Sequence, residues 1–404
     1  MKRIVWCVAV MMLLVCVGAW ALAEEEVYST GDYEYVLLED GSAKITYYMG
    51  PEETYEVEIP RELDGHTVTA MASGCFGERW NLTSVTIPDC VTEIEGNPFH
   101  ECEDLQTIEV SPDHPTLALI DGVLFDKTEK KLLCHPAGLE ASSYEIPEGI
   151  TAIGWGAFSC CMKLEHVSIP ETVAAIGDYA FYACYSLRSA AVPDGITAIG
   201  EGTFAYCEAL EDVSLPDSVE SLGMWAFDGC YSLVQISLPD GLTEIGNGAF
   251  SFCEALEDVN LPDSVESLGL WAFHGCDSLA QISLPDGVTV IGRDAFNSCE
   301  SLKSIDLPDG LVSIGDYAFF CCSDLESIAL PDGVTSIGKE AFRYCESLTE
   351  MTIPGSVSSI GEDAFEFCPE NLVLTVERDS YASDYAQDNG IEYAYEDAND
   401  WLFE

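Results

Sequence analysis

From residue 146 to residue 372 the apolar side chains recur in columns spaced 23 residues apart. The unit reads L-x-x-[IVA]-x-[ILV]-P-x-x-[VIL]-x-x-[IL]-G-x-x-[AT]-F-x-x-C-x-x, and ten prolines from Pro147 to Pro354 hold its register. In one copy, Leu210, Val213 and Leu215 predict a short strand and its lead-in with those side chains inward. Pro216 ends the strand because it has no N–H for a ladder. Leu222-Gly223 predicts a tight bend. Ala226-Phe227 then sets a small and a large residue into the inner layer of a turn or short helix. Cys230 follows, and Leu233 opens the next copy.

A unit this short cannot bury its apolar side alone, so consecutive units must stack as coils around one continuous core. The spacing predicts a solenoid with a parallel β-sheet on one face and turns or short helices on the other. A period of 23 lies within the leucine-rich-repeat range. The Ile-Pro, Ile-Gly, Ala-Phe, Cys, Leu pattern resembles the BspA-like, or Treponema pallidum-type, bacterial leucine-rich-repeat surface proteins. The likeness runs from Pro147 to Leu372 and back through Leu82, Pro88, Ile94, Phe99, Cys102 and Leu105, with Arg79 in a cysteine position and Ser111 in a proline position. The expected organisation is an N-terminal β cap over 24–60 and a leucine-rich-repeat solenoid over 61–372. A longer variant coil occupies 113–143, and a C-terminal cap with an acidic tail spans 373–404. In the first cap Asp32–Leu38 and Ala43–Tyr48 read as strands around Asp40-Gly41. Asp121-Gly122 signals a hairpin in the variant coil. Ser380 to Gln387 reads as a helix ended by Asn389-Gly390. Residues 205–250 and 251–296 differ at eleven of 46 positions, the mark of two coils copied together.

Residues 1–23 read as an export leader: Lys2 and Arg3, an apolar stretch from Ile4 to Trp20, then Ala21-Leu22-Ala23. A lipoprotein reading built on Cys16 is disfavoured by the bulk of Val15. The expectation is a bacterial protein, secreted or at the cell surface, with no membrane span after cleavage. Loss of Lys2 and Arg3 takes the formal charge from −57 to −59. Nucleic acid and anionic lipid are therefore poor partners. With 48% hydrophobic residues the chain still has enough apolar surface for a core.

The cysteine column is the first place to look for chemistry. Export favours disulfides, but side chains in a stacked ladder run parallel instead of facing each other, which favours buried thiols. Zinc needs four converging ligands, and no C-x-x-C pair occurs. Asp194, Asp217, Asp240, Asp263, Asp286, Asp309 and Asp332 each follow a repeat proline, where calcium between coils and a solvated turn-forming Asp are alternatives. No cofactor is otherwise expected. His66, His100, His114, His135, His166 and His274 share no spacing, and neither G-x-S-x-G nor H-E-x-x-H is present, so no enzyme is expected.

Two surfaces remain as candidate binding faces. Outward strand positions are small and mostly uncharged: Asp212, Ser214, Gln235, Ser237, Asp258, Asn260, Gln281, Ser283, Ser304 and Asp306 are the central ones. They leave room for an extended polypeptide or glycan, or reflect the β preference for Ser and Thr. Tyr179, Trp225, Trp271 and Tyr317, each two residues before a column phenylalanine, suit binding hot spots or packing against a neighbouring coil. The resemblance implies an adhesin or recognition scaffold for an extracellular protein or glycoprotein, with host matrix or other cells as partners. A spacer in the cell envelope is the alternative.

Overall fold

The computed structural model describes residues 26–396. The leader at 1–23 and the end of the acidic tail, 397–404, lie outside the described residues. Strands Val27–Thr30, Tyr33–Leu37 and Ala43–Tyr48 form an antiparallel meander. The last of them pairs in parallel with His66–Met71, which in turn pairs with Glu93–Ile94. An antiparallel sheet thus converts into the parallel stack. The parallel ladder already includes Glu56–Glu58, paired with Ser84–Ile87.

Neighbouring coils meet through up to three hydrogen-bonded tiers. The first is the strand read from the sequence, as in Asp212–Ser214, with Val213 buried between two exposed residues. After it the Pro216 carbonyl accepts from Val219 N–H at 3.1 Å, closing a turn. The second tier is another, two-residue parallel ladder: Ser221–Leu222 pairs with Glu244–Ile245, and that with Ser267–Leu268. The third lies in the turns around the phenylalanine column. There the N–H groups of Trp225, Phe227 and Gly229 donate to the carbonyls of Asn247, Ala249 and Ser251 in the next coil, each at 2.8 Å, while the residues between them close turns within their own coil. This side is built from turns, not short helices. The helix of the described residues is the C-terminal Tyr381–Asn389.

The glycine of the Ile/Leu-Gly column has a different reason from the tight bend the sequence suggests. None of Gly223, Gly246 and Gly269 has a positive φ. Instead a Cβ on Gly269 would stand 2.3 Å from Asn247 N, and one on Gly246 2.6 Å from the Gly223 carbonyl carbon. Glycine stands here because adjacent backbones come too close for any side chain.

The core is a column of rings. From Phe158 to Phe365 each phenylalanine stacks on the next with centroids 5.0–5.6 Å apart and planes within 12°. The variant coil continues this column with a different residue: His135 stacks on Phe158 at 5.4 Å, and its N–H donates to the Ala157 carbonyl as the phenylalanines do to theirs. Ahead of it, Leu117–Ile120 and Val123–Asp126 form the hairpin across Asp121-Gly122, both residues with positive φ. Lys131–Cys134 then rejoins the parallel ladder beside Ala152–Ile153.

At the C-terminus Ser380 Oγ accepts from Ser383 N, and left-handed Gly390 closes the helix. Glu392–Tyr395 adds a final parallel strand to Val373–Val376.

Gly269→Ala should lower stability by about 1–3 kcal/mol, the usual penalty for forcing an extra methyl into a packed site. Gly241→Ala, whose Cβ would meet nothing closer than Asp217 O at 3.6 Å, should be near neutral. Urea unfolding of the two variants checks the difference.

Candidate functional site

The strand face keeps the predicted alternation. Asp212, Ser214, Gln235, Ser237, Asp258, Asn260, Gln281, Ser283, Ser304 and Asp306 are all exposed, and Val213, Ile236, Val259, Ile282 and Ile305 are buried beneath them. The ladder under this face is not continuous. Asp212–Ser214 pairs with Ser189–Ala191, Gln235–Ile236 with Asp258–Val259, Gln281–Ser283 with Ser304–Asp306, and Ser327–Ala329 with Glu350–Ile353. Among the described residues no strand pairing crosses from 212 to 235, from 258 to 281 or from 304 to 327. Every second seam in the middle of the solenoid is therefore open over the strand itself, although just ahead of two of them Ala280 N–H still donates to Glu257 O at 3.5 Å and Glu326 N–H to Lys303 O at 3.3 Å. The open seam between Asp258–Leu261 and Gln281–Ser283 forms a groove of about 210 Å³, floored by Val259 and Ile282 and rimmed by Ser304 and Asp306.

The turn edge carries the aromatic residues, and its backbone explains their setting. Two residues per coil adopt left-handed conformations, two places before and two places after the column phenylalanine, in all ten coils from Gly156 and Cys160 to Asp363 and Phe367. Trp225 (φ 55°) and Trp271 (φ 56°) occupy the first of these positions. A left-handed non-glycine costs about 1–2 kcal/mol. What offsets it is the inter-coil hydrogen bond that this twist aims, such as Trp225 N–H to the Asn247 carbonyl. Aromatic and glycine alternate. A Cβ on Gly248 would lie 2.6 Å from the Trp225 ring, one on Gly202 2.5 Å from Tyr179, and one on Gly229 2.8 Å from Tyr206. Each ring thus lies over the bare glycine of the following coil. Trp271 meets Asp294 there instead of glycine and stands 38% exposed, whereas Trp225 is half-buried.

All sixteen cysteines of the described residues are free thiols, thirteen of them buried. From Cys184 to Cys368 the column Sγ donates to the carbonyl of the phenylalanine 26 residues earlier, at 3.1–3.3 Å. Burial pushes these thiols well up, which disfavours the thiolate form that nucleophilic attack needs. Cys161 reaches His135 Nδ1 at 3.2 Å. This pair has the look of a thiol–imidazole couple, but burial holds His135 at about 4 and raises Cys161, which leaves both neutral. In the two adjacent pairs the additional thiol differs: Cys160 is buried beside Ser159, and Cys321 is part-exposed.

The seven proline-following aspartates are all exposed. Among the described residues no group of three or more His, Cys, Asp or Glu side chains is arranged to hold a metal ion, and no helix is long and apolar enough to cross a membrane. Asp126, Asp228 and Asp294 are buried, and burial raises the Asp228 carboxyl to about 6, although Ser251 and Tyr206 hydrogen-bond to it.

Stacked 23-residue coils with a phenylalanine spine, a parallel strand face and a turn edge define a leucine-rich-repeat solenoid. The chain belongs to the BspA type leucine-rich-repeat family, whose repeat region matches in six copies over residues 56–132, 137–257 and 243–373. It is similar to the crystal structure of a leucine-rich-repeat protein from Bacteroides ovatus, with 26% identity, 91% of this chain and 99% of that chain covered, and a TM-score of 0.62. A leucine-rich cell surface protein from Faecalibacterium prausnitzii gives 29% identity over 91% and 97% of the two chains with a TM-score of 0.49. The Treponema pallidum leucine-rich-repeat protein gives 22% identity over 74% and 91% with a TM-score of 0.29. No curated protein matches the chain.

Two outcomes follow. With residues 1–23 removed, a thiol reagent applied to the native protein should reach Cys90, Cys321 and Cys368 only, the other thirteen reacting after unfolding; faster reaction of more than three would contradict the buried column. For Asp228 the folded carboxyl is raised, so its contribution favours folding fully below pH 3.8 and is lost as pH rises through about 6. Asp228→Asn should then stabilise the protein at pH 7 by roughly 1–3 kcal/mol, with the gain shrinking as pH falls toward 4. Unfolding curves at both pH values test the sign.

Proposed function

We propose that this chain is an exported recognition scaffold, held outside the bacterial cell, that binds an extracellular protein or glycoprotein along its strand face. The observation that supports the reading is the contrast between that face and the rest of the molecule. In a chain of net charge −57, the exposed side chains around the central seams are short and mostly neutral, and alternate seams leave strand backbone unpaired. An extended segment laid on the groove at Asp258–Leu261 and Gln281–Ser283 finds hydrogen-bonding backbone and Gln281, Ser283, Asn260 and Ser304 side chains without having to displace long charged ones. Few flexible side chains need be immobilised there, which limits the entropic cost of association. The scaffold role requires no catalytic group, and the buried neutral thiols and histidine are consistent with it.

The chain without its leader, screened against glycans, matrix glycoproteins and whole cells, is the direct test. A variant with Gln235, Ser237, Gln281 and Ser283 changed to arginine should lose whatever the wild type binds, by at least tenfold, the effect of about 1.4 kcal/mol. Binding that survives these four changes sinks the strand-face reading, and the absence of any ligand leaves the spacer role.

A further inference from the structure

The turn edge has a chemistry of its own, opposite to that of the strand face. Four carboxylates, Glu254, Asp277, Glu300 and Glu346, each stand four residues after a column phenylalanine, two after the left-handed position behind it, and so form a row along this edge. Asp277 is pushed up by its partial burial and by Glu300 and Glu254 on either side. Among the described residues none of the four takes part in a salt bridge. In the coil between Glu300 and Glu346 the row has Ser323 in place of an acid. There the surface opens into a cavity of about 370 Å³ lined by Glu300, Phe320, Cys321, Ser323, Tyr344 and Glu346. Phe320 and Tyr344 meet edge to face at 5.5 Å, so one apolar wall runs between carboxylates that stand two coils, roughly 10 Å, apart.

The same edge already shows what such a wall accepts. Arg343 lies with its guanidinium carbon 5.2 Å from the Tyr344 ring centre and 5.1 Å from that of Phe367, paired with Glu340 at 2.5 Å and Glu366 at 2.8 Å. Arg293 repeats the arrangement on Tyr317 at 5.3 Å, with Asp294 as its carboxylate. Aromatic face and carboxylate together hold a cation on this edge twice within the chain.

We infer that the turn edge binds a basic polypeptide segment, with a lysine or arginine side chain seated in the Phe320–Tyr344 cavity between Glu300 and Glu346. The stem of the incoming side chain covers the ring wall while its cation meets a carboxylate at the rim. The row continues through Asp277 and Glu254, which favours a chain bearing several cations over a single small ion. The net charge of −57 adds long-range attraction for such a segment. This edge is distinct from the strand face, and the inference stands whether or not that face binds.

Cys321 sits in the cavity and is part-exposed, which makes it a local reporter, and part-exposed Cys90 in the N-terminal coils is its reference. The probe is an acetylated Lys-Gly repeat peptide at about 150 mM salt, where screening acts beyond about 8 Å. At a concentration that fills about four-fifths of the sites, the peptide should slow iodoacetamide alkylation of Cys321 by about fivefold and leave Cys90 unchanged. A Gln-Gly repeat should do neither. Calorimetry should show Tyr344→Leu, which keeps the charge, and the double variant Glu300→Gln/Glu346→Gln each weakening the Lys-Gly peptide about fivefold. Asp217→Asn/Asp240→Asn removes the same charge from the proline edge and should matter by less than about twofold. Equal slowing at both cysteines, or equal loss in the two charge variants with none in Tyr344→Leu, would mean diffuse attraction only and overturn the site. Failure of the peptide to bind overturns it as well.

Discussion

The spacing at which one coil rests on the next is the constraint on which the whole molecule depends. Phenylalanine rings 5.0–5.6 Å apart set it in the core, and up to three tiers of hydrogen bonds, unbroken on the turn side, repeat it around the perimeter. The glycine column exists because that distance leaves no room for a Cβ between backbones. The thiol column fits the same distance, since a cysteine is short enough to donate to the carbonyl of the ring beneath it. A residue lost or gained within a coil would break all three tiers at once. The sizeable insertion of the described residues, at 117–134, respects this limit by folding into its own hairpin before returning to register.

How much of this is legible in the sequence depends on whether a feature repeats in residue type. Proline, phenylalanine and cysteine columns each need one kind of side chain, so they announce the solenoid, the strand face and the buried thiols. The second parallel ladder and the turn tier are made by backbone and leave only weak signatures. The left-handed positions are hidden for the opposite reason: glycine, tryptophan, tyrosine, aspartate and glutamate all occupy them, because the geometry is imposed by the inter-coil hydrogen bond and not chosen by the residue. His135 is legible in retrospect. It lies 23 residues before Phe158, one period back, but the proline that marks the other coils has no counterpart there.

The candidate surfaces differ in the same way. Exposure of the strand face follows from alternation, and the outward residues could be named one by one. The open seams could not, because the alternation of Asp212, Gln235, Asp258 and Gln281 at the strand starts does not by itself say which neighbours pair. The Phe320–Tyr344 cavity arises where one coil departs from the acidic row, and a departure is visible only once the row has been placed in space. The two edges then present unlike chemistries: short neutral side chains over open backbone on one, rings flanked by carboxylates on the other.

The alternation of ring and glycine on the turn edge, and of closed and open seams on the strand face, both repeat every two coils in the middle of the chain. The natural unit of growth is therefore a pair of coils, as the near-identity of 205–250 and 251–296 records. Unequal recombination that shifts the gene by one pair sets Trp225 or its copy over a glycine again and preserves the surface. A shift by a single coil keeps the core intact but sets Trp225 directly against Trp271. Evolution can then lengthen such a protein in even steps at no expense to its faces, while odd steps offer it a new surface on an unchanged frame.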